Sequence, residues 1–387
     1  MQDAVLVAGA RTPIGRFLGG LSACTATDLG AVAIGEALSR AGVEPSEVDS
    51  VVLGNVVQAG NGANPARIAA VAAGLPMSAP ATTVNKLCLS GLATVAQAAQ
   101  LIAVGQCEVV VAGGMESMSN APHLARLRAG RKFGDAQLAD ALENDALTCA
   151  FDGIPMGAAT ERYQEGISRA EQDEYAAESH ARGARAAAIG HLAAEAVPVA
   201  TRGDAVEHDE GIRPGTTAEK LARLRPAFSA DGTITAGSSS QLSDGACAVV
   251  VMSKRRAVEH GIEWLAELGT YGTVAGPDPS LLLQPAGAIR DAVRRDGAVS
   301  VADLELVEIN EAFAGVPIAS TRELSLDPGR VNVNGGAIAL GHPVGMSGAR
   351  LVLSLAHELR RRGGGIGAAA LCGGGGQGDA LLLRIPG

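Results

Sequence analysis

The sequence predicts an α/β protein of two similar halves, with a polar region inserted in the first. Three observations carry this. Strand-like apolar runs alternate with helical patterns at both ends of the chain; residues 119–242 change to charged, broken helices; and a motif order near residue 90 returns near residue 347. Such alternation marks sheets covered by helices on their faces.

Taken in order, "AVLVAG" (4–9), "SVVLGNV" (50–56) and "EVVVAGG" (108–114) read as buried strands, and "TDLGAVAIGEALSRAG" (27–42) as a helix. The helix after Gly91 keeps only Thr94, Gln97 and Gln100 polar, a stripe too narrow for a surface helix, so it belongs between layers. In the inserted region Ser168 and Glu171 have capping-box spacing. The last third returns to strands at "LELVEI" (304–309), "RVNVN" (330–334), "IGAAALC" (366–372) and "DALLLRIPG", with residues 351–359 as a second buried helix. The echo is specific: Ser90-Gly91, a helical run, Gly105, "EVVVA" and Gly113-Gly114 come back as Ser347-Gly348, a helical run, "GGG" (363–365), "IGAAALC" and another glycine run.

Composition sets the outer limits. A chain of 387 residues, 47% hydrophobic and 19% charged, can bury a large core divided among two or three compact units. "MQDAVLVAGARTPIG" has no basic region before its apolar residues, and no apolar stretch reaches the ~18 residues of a membrane span, so a cytoplasmic protein is expected. Cys24, Cys88, Cys107, Cys149, Cys247 and Cys372 lie far apart with no C-x-x-C pair, and read as free thiols. A net charge of −10 argues against nucleic acid or an anionic membrane as partner, and an anionic ligand then needs a local basic patch. "GIRPGTTAEKLARLRPAF" (211–228) supplies one, with Arg213, Lys220, Arg223 and Arg225 against Glu219; the alternative is a solvated helix face.

Cys88, in "VNKLCLSGLATVAQAAQLIAV", stands where a helix begins. A helix N-terminus favours the thiolate and lowers a cysteine pKa from about 8.5 by a unit or more. An isolated cysteine is more often a packing residue, so its company decides. His342 sits in the glycine-rich "NVNGGAIALGHPVGMSGAR", where an imidazole can take a proton from a nucleophilic thiol. Cys372 opens "CGGGGQG" at the exit of a buried strand, a second reactive thiol. Asn310, in "VEINEAFAG", ends another strand, where its amide can hold a water or a carbonyl oxygen.

These segments, with "GARTPIG" (9–15) and "GGMESMSNAPH" (113–123), resemble the thiolase family, in particular its acetyl-CoA acetyltransferases, over nearly the whole chain. The resemblance implies two βαβαβαββ halves in a five-layer αβαβα stack. Residues 1–118 with 243–264 would form the first half, 119–242 a coenzyme A-binding loop domain, and 265–387 the second half. It implies ping-pong chemistry: Cys88, activated by His342, takes an acetyl group from one thioester, and Cys372 deprotonates the second acetyl-CoA. His342 and a water held by Asn310 then stabilise the enolate, the N–H groups of Cys88 and Gly374 forming the other oxyanion hole. Contacts to nucleotide or pantetheine are implied at Arg213, Phe228, Ala236 and Ser240, an acyl pocket at Met156 and Phe313, and a further substrate or coenzyme A contact at Leu147. Acetyl-CoA, acetoacetyl-CoA and coenzyme A are the expected partners, with no cofactor or metal, in a homodimer or homotetramer.

Departures from the family pattern fall at Ser238, Gln241 and Ser243 in "AGSSSQLSDGA" (236–246), at Pro155 in "IPMG", and at Leu89, which is expected to narrow the acyl pocket. A degradative 3-ketoacyl-CoA thiolase of broader chain length is the nearest alternative. Gly373, Gly375 and Gly378 satisfy G-x-G-x-x-G, yet a strand and no crossover helix follows, which rejects a dinucleotide site. A decarboxylating ketoacyl synthase is expected to lack Cys372, and a non-catalytic acyl-CoA scaffold to have lost a catalytic residue.

Overall fold

The computed structural model describes residues 3–128, 130 and 132–386. Nine strands carry the architecture: β1 (Ala4–Arg11), β2 (Ser50–Gly54), β3 (Ala81–Val84), β4 (Val109–Ser117), β5 (Ser243–Ser253), β6 (Ala266–Ala275), β7 (Leu306–Ile309), β8 (Gly365–Gly373) and β9 (Gln377–Ile385). They lie in the order β7-β8-β9-β6-β1-β5-β4-β2-β3, with the short Gly15–Arg16 strand beside β5. In each half a parallel pair is followed by antiparallel neighbours: β2 runs parallel to β3 and β4, and β7 parallel to β8. Within the sheet, the two halves are joined through two residue pairs, Val5 with Glu267 and Leu6 with Ala266.

Helices α1 (Ala26–Ala41) and α2 (Pro65–Ala72) cover the outer face of the first half-sheet. Helices α6 (Gln284–Asp296) and α7 (Gly315–Glu323) cover that of the second. Between the half-sheets lie α3 (Ser90–Ala103) and α8 (Ser347–Arg361), packed on each other, α3 against the first sheet and α8 against both. This is the five-layer stack, and the echoed segments are its central pair. The central core joins Leu92, Val95, Ala98 and Ile102 of α3 to Leu351, Val352, Leu355 and Leu359 of α8. Thr94, polar in the stripe, is buried and uses its hydroxyl on the carbonyls of Gly91 and Gly113 at 2.8 and 2.7 Å.

The two helices approach at backbone distance. A Cβ on Gly91 would lie 2.8 Å from the nitrogen of Ala349 and 2.9 Å from the carbonyl oxygen of Met346; one on Gly348 would overlap the nitrogen of Leu92 and come within 2.8 Å of its Cβ. Only glycine permits that approach.

The described residues of 119–242 give the large sheet no strand. They hold two short ribbons and the helices α4 (Met156–Tyr163) and α5 (Arg169–Ala188), the latter opened by the Ser168–Glu171 capping box. Arg11 ties this region to β1: fully buried, it donates to Glu195 at 2.9 Å and to both oxygens of Asp209 at 2.7 and 2.9 Å. All six cysteines are free, and no helix among the described residues is long and apolar enough to cross a membrane.

One strand expectation fails. "RVNVN" is no strand; a 3-10 turn, Pro328–Arg330, leads into it, and Val331 makes a lone bridge to Val307. Asn332 sits at φ 49° with its side chain capping β7, accepting from the N–H of Ile309 and donating to its carbonyl, both at 2.8 Å. A side chain thus takes the place of the ladder that the alternation suggested.

Gly348→Ala is expected to destabilise the protein by about 1–3 kcal/mol, the range for overpacking a tight interior. Equilibrium denaturation measures it; an unchanged midpoint would mean that the helices can separate at little cost.

Candidate active site

Each site residue stands at the end of an element of the central layers. Cys88 lies just before α3, Asn310 just after β7, His342 in the loop before α8, and Cys372 near the end of β8. The β8–β9 hairpin turns through Gly374–Gly376, with Cys372 paired to Gly378 and Gly373 to Gln377.

His342 is the best-defined group. The Ser347 hydroxyl gives its proton to the carbonyl of Pro343 at 3.0 Å, so its oxygen accepts from Nδ1–H of His342 at 2.6 Å, leaving Nε2 as the bare nitrogen. The Asn310 amide donates to Nε2 at 3.3 Å. Asn310 is fully buried, and its Oδ1 has no hydrogen-bond partner, an acceptor left open in the site. Burial, and after it the Arg350 guanidinium, hold the imidazole pKa down at about 3, so the ring is neutral at working pH.

Cys88 is half-buried, and burial pushes its thiol up to about 11. The N–H groups of Cys88 and Gly374 offset part of that rise, and the charge of Glu116 adds to it. Burial thus runs against the lowering expected at a helix start, and it exceeds what the two backbone N–H groups offset. Cys372 is fully buried and raised further, by burial first and by the proximity of Cys88 second. The two thiols thus feel each other. Cys88 and His342 share no direct hydrogen bond among the described residues.

Glu116 pins the loops around them. Its carboxylate accepts from Asn55 Nδ2 and the N–H groups of Val56, Val57 and Gly345, at 2.9, 3.0, 3.1 and 3.0 Å. Burial nevertheless lifts its pKa to about 7 against those three backbone donors. Sequence reading gave this residue no role; its signal was the motif "GGMES" itself.

An apolar wall stands beside Cys372. Phe228 meets Phe313 edge-on, centroids 5.8 Å apart at 87°, and both pack with Met156 in the cluster that contains Cys372. Leu147 joins Cys88 and Leu87 in a neighbouring cluster. Ser240 donates its N–H to the carbonyl of Ala312 at 3.0 Å, and Ala236 is exposed on the same loop. Arg213, Lys220, Arg223 and Arg225 are all exposed, and none forms an ion pair among the described residues.

Leu89 is corrected. It is fully buried in the central core, where a Cβ on Gly373 would come within 2.7 Å of it, so it packs beneath the hairpin rather than at an open surface. Two other departures, Gln241 and Ser243, turn toward His342. Its backbone N–H is shared by the Gln241 carbonyl at 3.1 Å and the Ser243 hydroxyl at 3.2 Å. Gln241 Nε2 donates to the carbonyls of Gly211 and Ile338 at 3.0 and 2.8 Å, and its Oε1 accepts from Arg213 at 3.4 Å. Ser238 closes its own turn, accepting from the N–H of Thr235 at 2.9 Å.

Residues 4–255 match the thiolase N-terminal domain and residues 262–385 the thiolase C-terminal domain. The chain belongs to the thiolase family. Among curated relatives of this thiolase, a probable acetyl-CoA acetyltransferase of Mycolicibacterium smegmatis is 56% identical, covering 98% of this chain and 100% of its own. The acetyl-CoA acetyltransferase of Paracoccus denitrificans is 46% identical over 100% of both. A probable acetyl-CoA acyltransferase of Staphylococcus aureus is 46% identical over 99% of both.

Alkylation of Cys88 by iodoacetamide, followed by peptide mass spectrometry, is expected to speed up about tenfold per pH unit from about pH 7 to 10, because the thiolate fraction grows that way below a raised pKa. A plateau near neutrality would mean a preformed thiolate.

Proposed function

We propose that this thiolase is an acetyl-CoA C-acetyltransferase, joining two acetyl-CoA reversibly into acetoacetyl-CoA and free coenzyme A in the cytoplasm. The observation that supports the reading is two thiols within electrostatic reach of each other, and a neutral imidazole whose bare Nε2 accepts from Asn310, at the end of the strand paired with that of Cys372. The names of the full-length relatives agree with it.

In the first half-reaction Cys88 sulfur attacks the thioester carbonyl while His342 Nε2 takes the thiol proton and passes it to the departing coenzyme A sulfur. The N–H groups of Cys88 and Gly374, already against the sulfur, receive the developing oxyanion. Both thiols are protonated without ligand, so ionisation is coupled to substrate entry. In the second half-reaction Cys372 gives its proton to His342 and removes one from the acetyl α-carbon. The imidazolium Nε2–H and a water on Asn310 Oδ1 then hold the enolate oxygen while the carbon attacks acetyl-Cys88; the acyl–sulfur bond breaks, the departing Cys88 thiolate takes the proton from the imidazolium, and the α-carbon's proton stays on Cys372. Coenzyme A lies along Arg213, Phe228, Ala236 and Ser240 on the 119–242 loop domain, its phosphates answered by the unpaired cations there. Met156, Phe313 and Leu147 border the acyl group, and the enzyme works as a homo-oligomer.

Acetyl-CoA alone is expected to leave an acetyl group on Cys88, read by peptide mass spectrometry after acid quench. Cys372→Ala should still be acetylated yet lose carbon–carbon bond formation by at least the ~10²-fold typical of a general base. A label on Cys372, or unimpaired condensation by the variant, would overturn the division of roles.

Acetoacetyl-CoA should be cleaved in preference to 3-ketoacyl-CoA of about six to eight carbons, since the Phe228–Phe313 and Met156 wall closes the space beside Cys372. Equal kcat/KM across those lengths would place the enzyme among the degradative thiolases.

A further inference from the structure

We propose that Lys86 and Asp379 form a positioning pair that holds the nucleophile of the first half against the oxyanion donor of the second. This rests on the reading of Cys88 and Gly374 above, and adds what keeps them together.

Lys86 stands two residues before Cys88, at the end of the first half's edge strand. Its Nζ donates to both oxygens of Asp379 at 2.7 and 2.9 Å, to the Tyr271 hydroxyl at 3.1 Å and to Thr273 Oγ1 at 3.3 Å. All three acceptors belong to the second half: Tyr271 and Thr273 to β6, and Asp379 to β9, next to Gly378, the partner of Cys372. Asp379 is fully buried, and Thr273 Oγ1 donates to it at 2.7 Å. The sheet seam between the halves supplies two residue pairs only, so this ion pair is a direct bond between the nucleophile's strand and the glycine hairpin.

The chain between Lys86 and Cys88 is in tension. Leu87 adopts φ 52°, in the left-handed region that a leucine rarely enters and that surrounding structure must enforce. Enforcement is visible on both sides: the N–H of Lys86 donates to Ser90 Oγ at 2.9 Å, that of Leu87 to Asn85 Oδ1 at 3.0 Å, and Ser90 Oγ donates to the Leu87 carbonyl at 2.6 Å. The Leu87 side chain in turn lies against Gly374, where an added Cβ would come within 2.8 Å of its Cδ1. With the Lys86 anchor released, Leu87 can relax, and the first element to shift is the contact that aligns Cys88 with the Gly374 N–H. Positioning of this kind acts on the oxyanion hole and leaves the thiol as reactive as before.

The test separates those two quantities. In Lys86→Met/Asp379→Asn no buried charge is left unpaired, so the fold is spared the penalty of a single deletion. The initial rate of Cys88 acetylation by acetyl-CoA should fall on the order of 10²-fold, the effect of losing one oxyanion donor. Alkylation of Cys88 by iodoacetamide, which needs no oxyanion hole, should stay within about threefold of wild type at one pH. Lys86→Arg, which keeps the ion pair, should recover most of the acetylation rate. Tyr271→Phe removes one hydrogen bond and no charge, and should show a smaller fall of the same kind even if the double variant does not fold. Unchanged acetylation in the folded double variant, or in Tyr271→Phe where that is the only folded variant, overturns the proposal; so does a parallel fall of acetylation and alkylation, the mark of a merely structural pair. If wild-type Cys88 itself takes no acetyl group, the reading of the nucleophile fails instead, which the wild-type arm detects by itself.

Discussion

The arrangement depends on the backbone contact between the two central helices at Gly91 and Gly348. Because neither position carries a side chain, the helices touch through main chain, and their starts come together in the middle of the molecule. Cys88 precedes one start, and His342 with its Ser347 anchor lies at the other. The same closeness recurs above them: a Cβ on Gly54 would overlap Ser90 and the carbonyl of Gly345, and one on Gly114 would overlap Gly345 as well. The glycines that read as motif in the sequence are the places where the layers meet at main-chain distance, so packed backbone holds the site loops together with the Glu116 carboxylate.

Enclosure then governs the electrostatics. Nearly every titratable group at the centre has its charged form disfavoured by burial: both thiols and Glu116 are raised, and His342 is lowered. In the ligand-free site both thiols and the imidazole are neutral, with donors and acceptors oriented around them, and no thiolate–imidazolium pair is preformed. Such a site costs little to keep folded, and it concentrates its electrostatic effect on whatever charge a substrate brings or develops there.

Much of this was legible in the sequence. The narrow polar stripe of the helix after Gly91 and the largely apolar run 351–359 placed both helices between layers. The polar texture of 119–242 marked the stretch outside the sheet. The four candidate positions, Cys88, Asn310, His342 and Cys372, emerged from motif resemblance rather than from patterning. What stayed hidden was of another kind. "RVNVN" alternates like a strand, yet Asn332 closes the ladder with its own amide; Leu89 looked like pocket and is core; and Gln241 looked like a loop variation while it bridges Arg213 and the His342 loop. Lys86 and Asp379 meet across nearly the whole length of the chain, a separation at which one sequence gives no local signal.

The seam at Val5–Leu6 and Glu267–Ala266 carries a consequence for how the protein comes into being. A sheet joined by so short a stretch cannot by itself template one half on the other, so docking must be driven by the apolar faces of the central helices. Until the second half emerges from the ribosome, α3 has no partner for a face that is nearly all Leu, Val, Ala and Ile. The nascent first half is then a sticky intermediate, and a truncated gene product would be expected to end in chaperones or inclusion bodies.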